Sequence, residues 1–188
     1  SAVPQQIDDG DTAAVELGMK FRPDVGGFVH GVRFYKAPAN TGTHTASLWS
    51  STGALLARAT FTNETASGWQ QVNFAQPVPV TANTVYVVSY HAPNGHYSSN
   101  ENYFNSTGVD SPPLHALRQG VSGSNGVYRY TSSSAFPNNS FRSSNYWVDV
   151  VFRSASAPMA TVLPASVTVE TGSLRAGDAS RLTASDDV

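Results

Sequence analysis

Three tryptophans stand on stretches whose side chains alternate between apolar and polar. Trp49 shares its side with Thr45 and Ser47, Trp69 with Gln71 and Asn73, and Trp147 with Asp149 and Arg153. A period of two is the pattern of a half-buried strand, so each indole is expected on the polar face of its strand. Sugars bind by stacking C–H faces on aromatic rings while neighbouring polar groups hydrogen-bond the hydroxyls. Tryptophan offers a large apolar area and one N–H donor, which suits that task. The competing expectation is that a loop layer folds over these faces and buries the rings.

A second group lies between residues 94 and 104. His96, Tyr97, Asn102 and Tyr103 stand close together there, with Asn100 between them. Loop aromatics beside amides and an imidazole form a common glycan lining. Anchoring plugs for the loop would have the same composition. Trp49, Trp69, Gln71, His96, Tyr97, Asn102, Tyr103 and Trp147 are therefore the candidate carbohydrate ligands.

The third group is acidic. Asp9, Asp11 and Glu16 lie before and in a first strand, and Asp149 lies on a last one. Terminal strands of a sandwich are often neighbours. Calcium takes roughly six to eight oxygens in irregular loops, so these four could hold a structural Ca2+ that pins the N-terminal segment. There is no EF-hand spacing, and solvated turn acids would look alike. No cofactor is required on this reading.

Catalytic patterns are absent from the sequence. The five histidines have no HExxH spacing. The run Gly120-Val-Ser122-Gly-Ser124 lacks the closing glycine of a nucleophile elbow. Nothing selects a carboxylate pair for glycoside hydrolysis. The expectation is a non-enzyme.

The elements that must position these groups are strands. Residues 145–152 place Tyr146, Val148, Val150 and Phe152 on one side, as a closing strand would. Earlier strands are expected at 16–21, 28–35, 43–50, 54–62, 68–75 and 85–90. On the second, Phe28, His30, Val32 and Phe34 are expected to share a face. Residues 43–50 and 54–62 form an expected hairpin. Pro77 and Pro79 are expected to interrupt the strand before them. Between 91 and 144 regular structure thins to short strands at 114–117 and 126–130, the length of an elaborated loop layer. Many short strands, frequent turn signals and no amphipathic helix predict an all-β chain, an antiparallel β-sandwich or jelly roll with a long loop layer.

Composition bounds the partners. The chain of 188 residues carries net charge −2 and only 13% charged residues. Its basic residues are scattered, which excludes a nucleic-acid surface. No apolar run approaches the roughly 20 residues of a membrane span. Cysteine is absent, so neither disulfides nor thiolate zinc sites exist. A polar component rich in Ser, Thr, Asn and Gly is common in secreted β proteins, so a secreted or cell-surface location is the expectation, and a chain that had lost its signal peptide would begin like this one.

Residues 1–153 are expected to form the β-sandwich and 154–160 a linker. Residues 162–170 alternate again, and 161–188 resemble the incomplete start of a second secreted β module, or a strand-pairing tail. Such a tail would make homo-oligomers or contacts with neighbouring β modules the alternative role.

Several strings occur in order: ELGMKF at 16–21, GVRFYKAPANTGTHTASLW at 31–49 and LLARATF at 55–61. They are followed by SGWQQVNF at 67–74, YHAPNGHY at 90–97 and NYWVDVVF at 145–152. With them the chain resembles a bacterial domain family of formally unknown function. That family belongs to large secreted or surface proteins, notably of actinobacteria. It accompanies Ig-like and fibronectin-like modules and sometimes carbohydrate-active enzymes. The resemblance implies a galactose-binding-like β-sandwich and no catalytic residues. It makes a non-catalytic accessory module that binds a polysaccharide or glycan the leading expectation.

Overall fold

The computed structural model describes residues 2–155. The expectations placed on 156–188 lie outside the described residues. Eleven strands form among the described residues and no helix does. They are β1 (Val15–Pro23), β2 (Gly27–Lys36), β3 (Thr45–Ser50), β4 (Leu55–Thr60), β5 (Gly68–Val80) and β6 (Tyr86–Ala92). Then come β7 (Val109–Ser111), β8 (Leu114–Ala116), β9 (Val127–Tyr130), β10 (Asn139–Ser140) and β11 (Val148–Ser154). The short β7 and β10 lie in the stretch where the sequence alternates too briefly to predict them.

The larger sheet runs β10-β9-β1-β6-β3-β4, with β8 also on β1 and β7 on β8. The smaller runs β11-β2-β5. All pairings are antiparallel. The chain is an all-β sandwich, and β3 and β4 form the expected hairpin.

The core follows from alternation. Val15, Leu17, Met19 and Phe21 on β1, and Tyr86, Val88 and Tyr90 on β6, face Val32 and Phe34 on β2 and Val148 and Val150 on β11. Phe34 stacks on Tyr90 across the two sheets with ring centroids 4.3 Å apart. Every residue of β6 is buried, which a half-exposed sheet would not allow. The reason is a second small cluster on the outer face, where Trp49, Val87, Val127 and Phe136 pack together. The segment carrying Phe136 covers that face.

Two sequence expectations fail for one reason. The β2–β5 register shifts between Val29 and Gly31: Val29 pairs with Val78, whereas Gly31 pairs with Asn73. The shift flips the inward set, so Val29 is buried while Phe28 is exposed and His30 half-exposed. Pro77 falls in the bulged part of β5 and Pro79 on an edge strand, so neither ends it. A proline lacks only the donor that a bulge or an outer edge leaves unused. Gly31 permits the approach: a Cβ there would lie 2.1 Å from the Val72 carbonyl oxygen.

Residues 97–100 stitch the structure together outside the main ladders. Tyr97 bridges to Lys36, Ser99 to Gln6 and Asn100 to Asn145. The N-terminal segment is thus held by backbone pairing. Asp9 N–H donates to the Tyr97 carbonyl at 2.9 Å, and His96 N–H to that of Asp11 at 2.6 Å. Gly95 has φ +67°, and a Cβ there would meet the Asp11 carbonyl oxygen at 2.1 Å.

Candidate functional site: the outer face of the small sheet

On β2, Gly31, Arg33 and Tyr35 point away from the core, because Val32 and Phe34 point into it. Register aligns Tyr35 with Trp69 of β5, and Arg33 with both Gln71 of β5 and Asp149 of β11. Trp147 immediately precedes β11 in a left-handed conformation, φ +53°. Its carbonyl accepts from Tyr35 N–H at 2.9 Å. That turn brings its ring onto the same face.

The result is an aromatic row. Trp69 and Trp147 have centroids 6.0 Å apart, and Tyr35 sits edge-on to both, 5.8 Å from Trp69 and 6.2 Å from Trp147. The Arg33 guanidinium lies 5.3 Å from the Trp69 ring centre and forms an ion pair with Asp149. Both charges are substantially exposed, so the pair contributes little to stability. Gln71 and Asn73 continue the polar part of the face. Beside the row opens a depression of about 210 Å³, lined by Trp69, Trp147, Tyr103, Phe104, Asn145 and Asp149 among others. Trp147 is only 7% exposed, and its Nε1–H donates to Asn100 Oδ1 at 2.8 Å. The ring is thereby locked as part of the wall.

Of the eight residues expected to bind carbohydrate, Trp69, Gln71, Tyr103 and Trp147 are on or beside this face. The others are elsewhere. Trp49 is buried under Phe136, with its Nε1–H donating to Ser89 Oγ at 2.7 Å. Tyr97 is a core plug packed on Tyr146 at 5.7 Å. His96 pairs through Nδ1 with Asp8 at 3.0 Å. Asn102 lines a separate polar cleft of about 540 Å³ with Gln5, Gln6, Asp9, Ser99, Asn100 and Glu101. The 94–104 loop therefore divides its side chains among several environments. Arg33 and Tyr35 were missed as partners of the row. Alternation puts them on the outer face, but only the β2–β5 register sets Tyr35 against Trp69.

The four acids proposed for calcium do not meet. Asp149 pairs with Arg33, and Asp9 and Asp11 stand near the N-terminus, lining a different cavity. Among the described residues no group of three or more acidic, His or Cys side chains is arranged to hold a metal. Glu16 is fully buried on the covered face of the large sheet and accepts from Ser89 Oγ–H at 2.5 Å. Burial pushes its carboxyl up to about 7, and Ser89, Ser134, the Ala135 backbone and Arg58 pull it back only part way. Its Oε2 completes no hydrogen bond. A carboxyl in that setting is a poor calcium ligand, because desolvation disfavours the charged form.

The fold and this face describe a β-sandwich module with an aromatic outer sheet. A family model, "Domain of unknown function (DUF4082)", matches residues 1–148, so the chain belongs to that family. No curated protein matches the chain significantly.

Proposed function

We propose that this chain is a non-catalytic module of a secreted or surface bacterial protein, and that it binds a polysaccharide on the outer face of its small sheet. The observation that carries the reading is the Tyr35–Trp69–Trp147 row, flanked by Arg33, Gln71 and Asp149 and opening into the apolar depression. Stacked aromatics supply apolar area to a sugar ring, and the flanking fork, amide and carboxylate match vicinal hydroxyls. Trp69 is partly exposed, whereas Trp147 is buried and its indole N–H is held by Asn100. The bacterial, extracellular setting rests on the resemblance of the sequence strings above.

Thermal melts against a panel of neutral and acidic polysaccharides test the reading. A ligand that binds only the folded chain raises the midpoint by mass action. Trp69→Ala is expected to abolish the shift while leaving the ligand-free melt within a few degrees of the parent. If no polysaccharide shifts the parent, or if Trp69→Ala binds as well as the parent, the reading fails. Weight then passes to a structural role in which edge strands recruit neighbouring modules.

A further inference from the structure

A third cavity, of about 340 Å³, is lined by Tyr97, Tyr128, Tyr130, Phe141 and Tyr146 together with Asp9 and Asp11. Its parts come from separate regions. Tyr128 and Tyr130 are i, i+2 neighbours on β9, so both point to the core side of the large sheet. There Tyr128 packs against the main core opposite Leu17, and Tyr130 pairs with Val15 at its margin. Tyr97 and Tyr146 form the buried floor, edge to face at 5.7 Å, and Tyr128 stands 6.5 Å from Tyr146 and 5.6 Å from Tyr130. Phe141 and Tyr130, 49% and 54% exposed, form an open rim.

The carboxylates of this cavity are exceptional among the described residues. Asp8, Asp24, Glu64, Glu101, Asp110 and Asp149 each have a cationic or histidine partner. Glu16 is buried. Asp9 and Asp11 are the two remaining acids among the described residues, and neither has an ion-pair partner there. Their hydrogen bonds come from neutral groups: Ser99 Oγ–H to Asp9 Oδ2 at 2.9 Å, Ala13 N–H to Asp11 Oδ1 at 2.9 Å, and the Tyr130 phenol to Asp11 Oδ2. Among the described residues no Lys, Arg or His lines the cavity. The nearby Arg142 is engaged outside it, over the Phe141 ring and on Glu101. Burial raises the Tyr97 and Tyr146 phenols well above their usual range, so the floor is neutral.

We propose that this cavity is a binding site for an organic ammonium group, quaternary or methylated, such as a choline headgroup. Aromatic faces attract a weakly hydrated cation through the ring quadrupole, and several rings around one cavity exclude water from it. Two carboxylates without cationic partners supply the countercharge. A hard metal ion would find too few oxygens here and too much apolar wall. A neutral sugar would gain the stacking but leave the two charges uncompensated. The site is remote in chemistry from the Trp69 face and does not depend on sugar binding there.

Calorimetric titration of the intact chain with choline, and with its neutral isostere 3,3-dimethylbutan-1-ol, tests the proposal. Choline is expected to bind at least about tenfold more tightly than the isostere, because only the charge differs. Asp11→Asn and Phe141→Ala, both on the accessible side, are each expected to weaken choline about tenfold, with melting temperatures near the parent's. Trp69→Ala is expected to bind choline undiminished. Phosphatidylcholine vesicles then separate a membrane-borne headgroup from a free one, and binding to either source supports the site. Equal affinity for choline and the isostere overturns the proposal, as does choline binding that survives both substitutions. So does binding of calcium at Asp9 and Asp11 with no response to choline.

Discussion

Trp49 and Trp69 occupy equivalent places in the strand pattern yet have opposite fates. Each sits on the polar side of its strand, but Phe136 covers Trp49, whereas Trp69 stays partly exposed beside Tyr35 and Trp147. Trp49→Ala should therefore cost about 3–5 kcal/mol, the usual range for a buried aromatic truncated to alanine, without changing ligand affinity. Urea denaturation of the variant checks the number. Glu16 makes a pH prediction at the same scale. Its carboxyl titrates near 4.5 when unfolded and near 7 when folded. Below 4.5 both states hold the proton and there is no penalty. Between the two values only the folded state holds it, so stability falls as pH rises. Above 7 the full penalty applies, on the order of 3 kcal/mol. Glu16→Gln is expected to match the parent in melts at pH 4 and to exceed it at pH 8. A parent and variant that diverge in the opposite direction would show that Glu16 is charged and satisfied.

Among elements, the N-terminal segment is held by residues 96–100, and the Gly95 turn is what lets the two approach. A side chain at Gly95 would collide with the Asp11 carbonyl oxygen, and its φ of +67° disfavours any other residue. Gly95→Ala is expected to detach residues 5–11 from Tyr97 and Ser99. Amide exchange at Ser99 and at Gln6, which pair with each other, should rise sharply in that variant while β6 stays protected. The same detachment should cost choline affinity through Asp9 and Asp11. The β2–β5 bulge works at this scale too. It turns Val29 inward and leaves the Gly31–Arg33–Tyr35 series outward, so the aromatic row has a strand beneath it.

At the scale of the described residues as a whole, two sheets share one core, and a covering segment gives the larger sheet a second, smaller one. β6 is therefore buried on both faces while β4, β7 and β10 are exposed at the margins. Native-state hydrogen exchange should rank the strands accordingly, with β6 and the adjoining β1 slowest and β7 and β10 fastest. Uniform protection across the large sheet would contradict this arrangement. The two proposed sites should also differ in salt response. Choline at Asp9 and Asp11 should weaken as ionic strength rises, while a neutral polysaccharide on the Trp69 face should bind almost unchanged.

The all-β class was legible in the sequence because period-two alternation is a local property. Side chains two apart on a strand share a face whatever the rest of the chain does, and residues 16–21, 43–50 and 145–152 display it openly. The absence of cysteine and the low charge likewise bounded the chemistry without any structure. Tertiary structure decided everything that depends on which strand lies beside which. Alternation cannot register a bulge, so it put Phe28 inside and Val29 outside. Nor can it reveal a covering loop, so Trp49 and Trp69 looked alike. The four acids assembled for calcium were neighbours only on the assumption that first and last strands adjoin, whereas β11 pairs with β2. Tyr97, Tyr128, Tyr130 and Tyr146 are separated by up to 49 positions in the chain. Long-range pairing alone brings them around one cavity, since proximity across a sandwich is set by register and not by spacing.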